Sequence, residues 1–116
     1  MNIFVAPGNV VPFTVAVTAV VSGVPRKVGD LLLVPQASAA VGAIAEGLAE
    51  GIIDGPKVSA QAWTEGQQIN WDDTAKLFTS VTTGNFRAGT AVAVAANPSA
   101  TGRVRLSGVN LGAALA

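Results

Sequence analysis

Gln68-Ile69-Asn70-Trp71 alternates polar with apolar residues, Asp72-Asp73-Thr74-Ala75-Lys76 reverses the chain, and Leu77-Phe78-Thr79-Ser80-Val81 resumes an extended, apolar-rich pattern. Side chains of a strand point alternately to opposite faces, so period two on both sides of a polar break predicts strand, turn, strand. This unit decides the fold class because the rest of the chain follows the same pattern. Gly and Pro recur at short intervals from end to end, which favours many short strands over a few helices.

Towards the N-terminus, Phe13 to Val21 reads as a strand, with Phe13, Val15 and Val17 on one side and Thr14, Ala16 and Thr18 on the other. Ser22-Gly23 turns the chain. Arg26-Lys27-Val28-Gly29-Asp30 then leads into Leu31-Leu32-Leu33-Val34, a short buried strand stopped by Pro35. Ala37 to Ile53 admits two readings. Ile44, Leu48 and Ile52 recur every four residues, as on an amphipathic helix, yet Gly42, Gly47 and Gly51 each cost a helix interior about 1 kcal/mol relative to Ala. The preferred reading is a short helical turn over Ala37 to Val41 and strand from Ala43 onward. Asp54-Gly55-Pro56 reads as a turn, and Val58 to Glu65 as a brief helical turn carrying Trp63 and closed by Gly66.

Towards the C-terminus, Thr83-Gly84-Asn85 is a turn and Ala88 to Ala96 a small-residue strand with Val92 and Val94 on one face. Asn97 to Gly102 loops into Arg103-Val104-Arg105-Leu106, an alternating final strand, and Val109 to Ala116 is apolar without a period. There is no internal repeat and no domain linker. Ile3-Phe4-Val5, ended by Pro7-Gly8-Asn9, reads as an extended arm. The expected organisation is thus an N-terminal arm over residues 1–8 and a single β-rich domain over 9–116.

Composition narrows the chemistry. The 116 residues include no His, no Cys and no Tyr; 50% are hydrophobic and 12% charged. Without imidazole there is no ordinary general base near neutral pH, and without imidazole or thiolate the usual zinc and copper ligand sets cannot be built. Seven Lys and Arg balance seven Asp and Glu, which leaves no electrostatic basis for gripping nucleic acid. Zero net charge with few charges of either sign favours association. No window approaches the roughly 20 apolar residues of a membrane span, and the N-terminus lacks the basic start and long apolar stretch of a signal peptide. The expectation is a soluble protein used without export, with no membrane or nucleic-acid partner.

Candidate sites read the same way. Adjacent carboxylates such as Asp72-Asp73 point apart in a strand or turn, and no further carboxylate follows at calcium-ligand spacing, so they read as turn residues making Asx hydrogen bonds. No Gly-x-Ser-x-Gly elbow occurs. A Ser–Lys centre through Lys27, Lys57 or Lys76 remains the one formal nucleophile. The Gly47 to Gly55 stretch lacks the Gly-Lys-Ser/Thr ending of a phosphate loop. Trp63 and Trp71 read as core anchors, with sugar stacking as the alternative. No catalytic, cofactor-binding or metal-binding residue is assigned.

Several segments, in this order, resemble the capsid cement (head decoration) proteins of tailed bacteriophages. They are Pro7-Gly8-Asn9; Ser22-Gly23 followed by Val28-Gly29-Asp30; Glu50-Gly51-Ile52-Ile53-Asp54-Gly55-Pro56-Lys57; Gly66 with Ile69-Asn70-Trp71-Asp72; Gly89-Thr90-Ala91-Val92-Ala93-Val94-Ala95-Ala96; and Arg103-Val104-Arg105-Leu106. The resemblance implies a mainly β, compact barrel-like or tulip-like domain. It implies binding to the outer surface of the expanded head, often as trimers, so as to lock neighbouring major capsid subunits together. The expected partners are then the major capsid protein and further copies of the chain, and the expected location is the virion, after synthesis in the host cytoplasm. The residues add candidate contacts. The apolar arm Asn2, Ile3, Phe4 and Val5 is suited to adding a strand to a neighbour's sheet, and Arg103 and Arg105 to meeting carboxylates on a neighbouring subunit. Two other classes stay open: a glycan-binding surface module using Trp63 or Trp71, and a tail or baseplate structural protein.

Overall fold

Nine strands carry the regular structure of residues 8–116, the part of the chain that this computed structural model describes. In chain order they are β1 (Val10–Thr14), β2 (Arg26–Val28), β3 (Leu31–Pro35), β4 (Ile44–Leu48), β5 (Glu50–Pro56), β6 (Gln68–Asp72), β7 (Leu77–Thr79), β8 (Phe86–Ala91) and β9 (Thr101–Ser107). A smaller sheet has the order β1-β4-β3-β2 and a larger one the order β5-β9-β8-β6-β7. Within both sheets all the pairings are antiparallel. The chain crosses between the sheets at buried Ala49, whose N–H donates to the Asn9 carbonyl at 2.8 Å.

The larger sheet curls until its two edges meet. The Val58 N–H donates to the Phe78 carbonyl at 3.1 Å, and Lys57 bridges Phe78 in parallel, so the chain just past β5 touches β7 and a half-barrel results. Its interior holds Trp63, Ile69, Trp71, Phe78, Val104 and Leu106. Trp71 and Phe78, direct cross-strand partners, pack edge to face with ring centroids 4.9 Å apart. A second core, of Phe13, Val15, Val20, Leu33, Ala45 and Ala49, lies within the smaller sheet. β3 serves both cores: Leu33 enters the smaller one, while Leu32 and Val34 enter the half-barrel. The unbroken apolar run Leu31 to Val34 is therefore what a strand buried on both faces requires.

Asp54-Gly55-Pro56 is not a turn; it is the last part of β5, and Gly55 lies directly across from Gly102 of β9. The reason is steric. A Cβ on Gly102 would strike the Trp63 ring, and one on Gly55 would strike the Phe78 ring. The glycine pair is the bare patch of sheet on which two large aromatics lie.

Neither expected helical turn forms, and no helix occurs among the described residues. Ala39 instead bridges Val20, with N–H to carbonyl bonds of 3.0 and 3.1 Å in the two directions. Trp63 bridges Ala95 in the same reciprocal way, also at 3.0 and 3.1 Å. A single helical turn leaves most of its backbone groups unpaired, whereas these long-range bridges satisfy both groups of each residue. The expected Phe13 to Val21 strand starts earlier, at Val10, and ends at Thr14; beyond it Val17 adopts a φ of 70°. The expected Ala88 to Ala96 strand likewise spans Phe86–Ala91, after which the chain leaves to meet Trp63.

The periodless tail straps the sheets together. Asp30, in the β2–β3 turn, accepts the Leu111 N–H through its carbonyl at 2.8 Å and the Gly112 N–H through its carboxylate at 2.7 Å. Leu115 then exchanges bonds with the turn before β8, its N–H to the Asn85 carbonyl at 2.8 Å and its carbonyl with the Gly84 N–H at 2.7 Å. Leu111 itself is buried in the half-barrel core.

Two measurements check this account by urea denaturation. Gly102→Ala is expected to lose about 1–3 kcal/mol through overpacking against Trp63, and an unchanged midpoint would show that the ring is free to move. Leu111→Ala is expected to lose about 2 kcal/mol or more through the cavity it leaves, and a neutral result would show that the tail is not part of the core.

Candidate interaction surface

Alternation along β9 separates core from surface. Val104 and Leu106 are buried in the half-barrel, and Thr101, Arg103 and Arg105 face outward. The register then brings neighbours to each arginine: Asp54 lies opposite Arg103, while Ile52 on β5 and Thr90 on β8 flank Arg105.

The two arginines differ in what they have left to offer. Arg103 Nε donates to Asp54 Oδ1 at 3.0 Å, with a second bond from its terminal nitrogen to Oδ2 at 3.4 Å. This hydrogen bonding, reinforced by the opposite charge, holds the Asp54 carboxyl below its ordinary pKa and raises that of the guanidinium. Arg105 has no ion-pair partner among the described residues, and Ile52 beside it is 62% exposed. Arg105 with Ile52 thus forms an open cationic and apolar surface, while Arg103 is engaged within its own chain. The other sequence candidates, Asn2, Ile3, Phe4 and Val5, lie outside the described residues.

A second exposed feature has no signature in the sequence. At one end of the smaller sheet Val17 is 89% exposed, with Ile44 at 74% and Val41 at 56%. Val17 is β-branched and left-handed, a conformation that costs of order 1–3 kcal/mol and persists only where surroundings impose it. Here Arg26 imposes it: one guanidinium nitrogen donates to the Thr18 carbonyl at 2.7 Å and the other to the Ala16 carbonyl. The turn around Gly42 is fixed alongside by the Val15–Ala43 and Gly42–Val15 backbone bonds, each 2.9 Å. Arg26 lies eight to ten residues from the carbonyls it clamps, and no local motif marks that pairing.

The remaining chemical candidates are used inside the fold. Asp72 Oδ1 accepts the Thr74 and Ala75 N–H groups, both at 3.0 Å, which is the Asx turn read from the sequence. Asp73 Oδ1 accepts from Trp71 Nε1 and Lys76 Nζ, also at 3.0 Å. Burial pushes that carboxyl's pKa up, and the hydrogen bonds from Lys76 and Trp71, with the positive charges of Lys76 and Lys27, together more than offset this and leave it below the ordinary value. Lys27 Nζ sits 4.9 Å over the Phe86 ring. Lys57 is 2% exposed; its Nζ donates to the Val58 and Ser99 carbonyls at 2.8 and 3.3 Å, and desolvation lowers its pKa. Ser99 Oγ is turned elsewhere, donating to the Ala96 carbonyl at 2.7 Å, so this lysine and serine meet through a main-chain carbonyl and not through the hydroxyl. Among the described residues no group of three or more His, Cys, Asp or Glu is placed to hold a metal ion.

The tryptophans decide against glycan stacking. Trp63 is 1% exposed and Trp71 fully buried, and each indole N–H is satisfied internally, by Gln61 Oε1 at 3.1 Å and by Asp73 Oδ1 at 3.0 Å. Neither offers a face to a sugar, which removes the feature on which that reading stood.

What the molecule presents outward is therefore sheet surface: a cationic and apolar face on β5-β9-β8 and a strained apolar tip at Val17. No curated protein and no solved structure matches the chain. A family model described as phage cement protein matches residues 5–106, a span that runs from ahead of β1 to the penultimate residue of β9. Covering both sheets and most of the chain, this match shows that the chain belongs to the phage cement protein family.

Proposed function

We propose that the chain is a capsid decoration protein that binds the outer surface of the assembled phage head and stabilises contacts between major capsid subunits. Membership of the cement family points to a structural role at the virion capsid, with no catalysis implied. The observation that carries the finer reading is the outer face of the half-barrel, where Arg105 has no ion-pair partner among the described residues and stands beside exposed Ile52. Arginine flanked by apolar surface is the composition typical of protein contact sites.

On this reading the major capsid protein is the partner, and copies of the chain associate with one another, a trimer matching the three-fold positions of a head lattice. Synthesis takes place in the host cytoplasm. The half-barrel is the body of a tulip-like domain over residues 9–116. Residues 1–8 are a contact arm in which Asn2, Ile3, Phe4 and Val5 add to a neighbour's sheet edge. Arg105 is the principal charged contact and Arg103 a secondary one, since binding through Arg103 must compete with Asp54. Many modest contacts repeated over a lattice supply tight retention without any single strong site.

The test is co-sedimentation with expanded, undecorated heads of the phage that encodes the chain. The full chain is expected to bind saturably. Removal of Met1 to Ala6 and Arg105→Gln should each weaken binding by about tenfold, and Arg103→Gln by clearly less. Absence of saturable binding would overturn the capsid reading, and equal loss from the two arginine variants would overturn the ranking of the contacts.

A further inference from the structure

A groove of about 330 Å³ runs over the outer face of the half-barrel, and no described residue fills it. Its bare floor is glycine, at Gly66 and Gly89; a Cβ on Gly89 would strike the Arg105 carbonyl, so no larger residue fits there. Its polar wall consists of Gln68, Arg87, Thr90 and Ser107. The ladders hold this wall in place: Gln68 lies across from Thr90, and Thr90 across from Arg105.

The hydrogen bonds leave a specific remainder. Ser107 Oγ donates to the Ala88 carbonyl at 3.3 Å, and Gln68 Nε2 to Asn70 Oδ1 at 3.0 Å. Arg87 is exposed and has neither an ion-pair partner nor a side-chain hydrogen bond among the described residues; Glu65, next to Gly66, makes no ion pair with it. The Thr90 hydroxyl likewise makes no hydrogen bond among the described residues. What the groove offers is a planar fork of charged donors with a hydroxyl nearby, and a guanidinium fork matches a carboxylate in two-pronged fashion.

We infer that this groove receives a carboxylate-bearing segment of the partner protein, with the acidic side chain seated on Arg87. The inference rests on the capsid reading and names the chemistry of the contact. Charge argues for a protein carboxylate over a polyphosphate chain. Glu50 and Asp54 stand on neighbouring β5, and the whole chain carries a formal net charge of +0, so a polyanion would meet little attraction beyond the groove. A single acid needs only the one guanidinium of Arg87 that lines the groove.

The experiment is co-sedimentation with the same undecorated heads at low and raised salt, comparing the wild-type chain with Arg87→Gln and Arg87→Lys. Arg87 is exposed and makes no ion pair among the described residues, so matching thermal melts should confirm that both variants fold. Arg87→Gln is expected to bind about tenfold more weakly and with a shallower salt dependence, and Arg87→Lys to fall between, keeping the charge but losing the fork. Wild-type binding matched by Arg87→Gln at both salt concentrations would overturn this inference and leave the capsid reading standing. Absence of wild-type binding would overturn both.

Discussion

Burial of β3 on both of its faces is the constraint from which the architecture follows. Leu33 fills the core of the smaller sheet, and Leu32 and Val34 reach the opposite way into the half-barrel. Two sheets that share one strand's side chains cannot separate without exposing both cores. The rest of the chain is arranged to keep them together: Ala49 carries the backbone across, and the tail from Leu111 to Leu115 bonds first to the β2–β3 turn and then to the turn before β8. At about 25 cal/mol per Å² of buried apolar surface, a chain this size has a modest core, and dividing it between two separate sheets would leave each marginal.

Edges are the hazard of such a fold, since an unpaired row of backbone groups recruits other chains. The half-barrel removes most of its own by curling until the chain after β5 reaches β7. β2 is only three residues long. On β1 the bonds at Val15 and Asn9 set the odd-numbered residues to pair with β4, which turns the backbone of Val10, Pro12 and Thr14 outward. Pro12 has no N–H to offer, so the middle of that edge is interrupted. A chain that is half hydrophobic and formally neutral gains little protection from charge, and its geometry compensates at the edges.

The outer face shows how position in a sheet divides similar residues into different roles. Arg103, Arg105 and Arg87 are all exposed arginines, but the ladder puts Asp54 opposite the first, Ile52 and Thr90 beside the second, and a glycine-floored groove beside the third. Among the described residues, the last two have no side-chain hydrogen bond or ion pair, unlike the first. The exposed Asp54–Arg103 pair is solvated and salt-screened, so it contributes orientation more than stability. Val17 adds a different kind of surface, an apolar tip held in a costly backbone conformation by a clamp from Arg26.

By itself the sequence determined what depends on neighbours along the chain: the β6–β7 unit from its period-two pattern, β3 from its apolar run, the inward Val104 and Leu106 against outward Arg103 and Arg105, and the Asx turn at Asp72. These are readable because strand alternation and turn chemistry act over a few residues. Tertiary structure decided the rest. Whether Gly55 bends the chain or lies flat under a ring depends on Phe78, some twenty residues on, and the same holds for Gly102 and Trp63. Ala39 and Trp63 chose bridges over helical turns because Val20 and Ala95 could satisfy both of their backbone groups. Arg87 is not legible as a contact in the sequence, because a lone arginine in a strand carries no signal; its groove exists only where Gly66, Gly89 and Thr90 come together across the curled sheet. Pairing partners are set by which surfaces can be buried together, and local pattern does not carry that information.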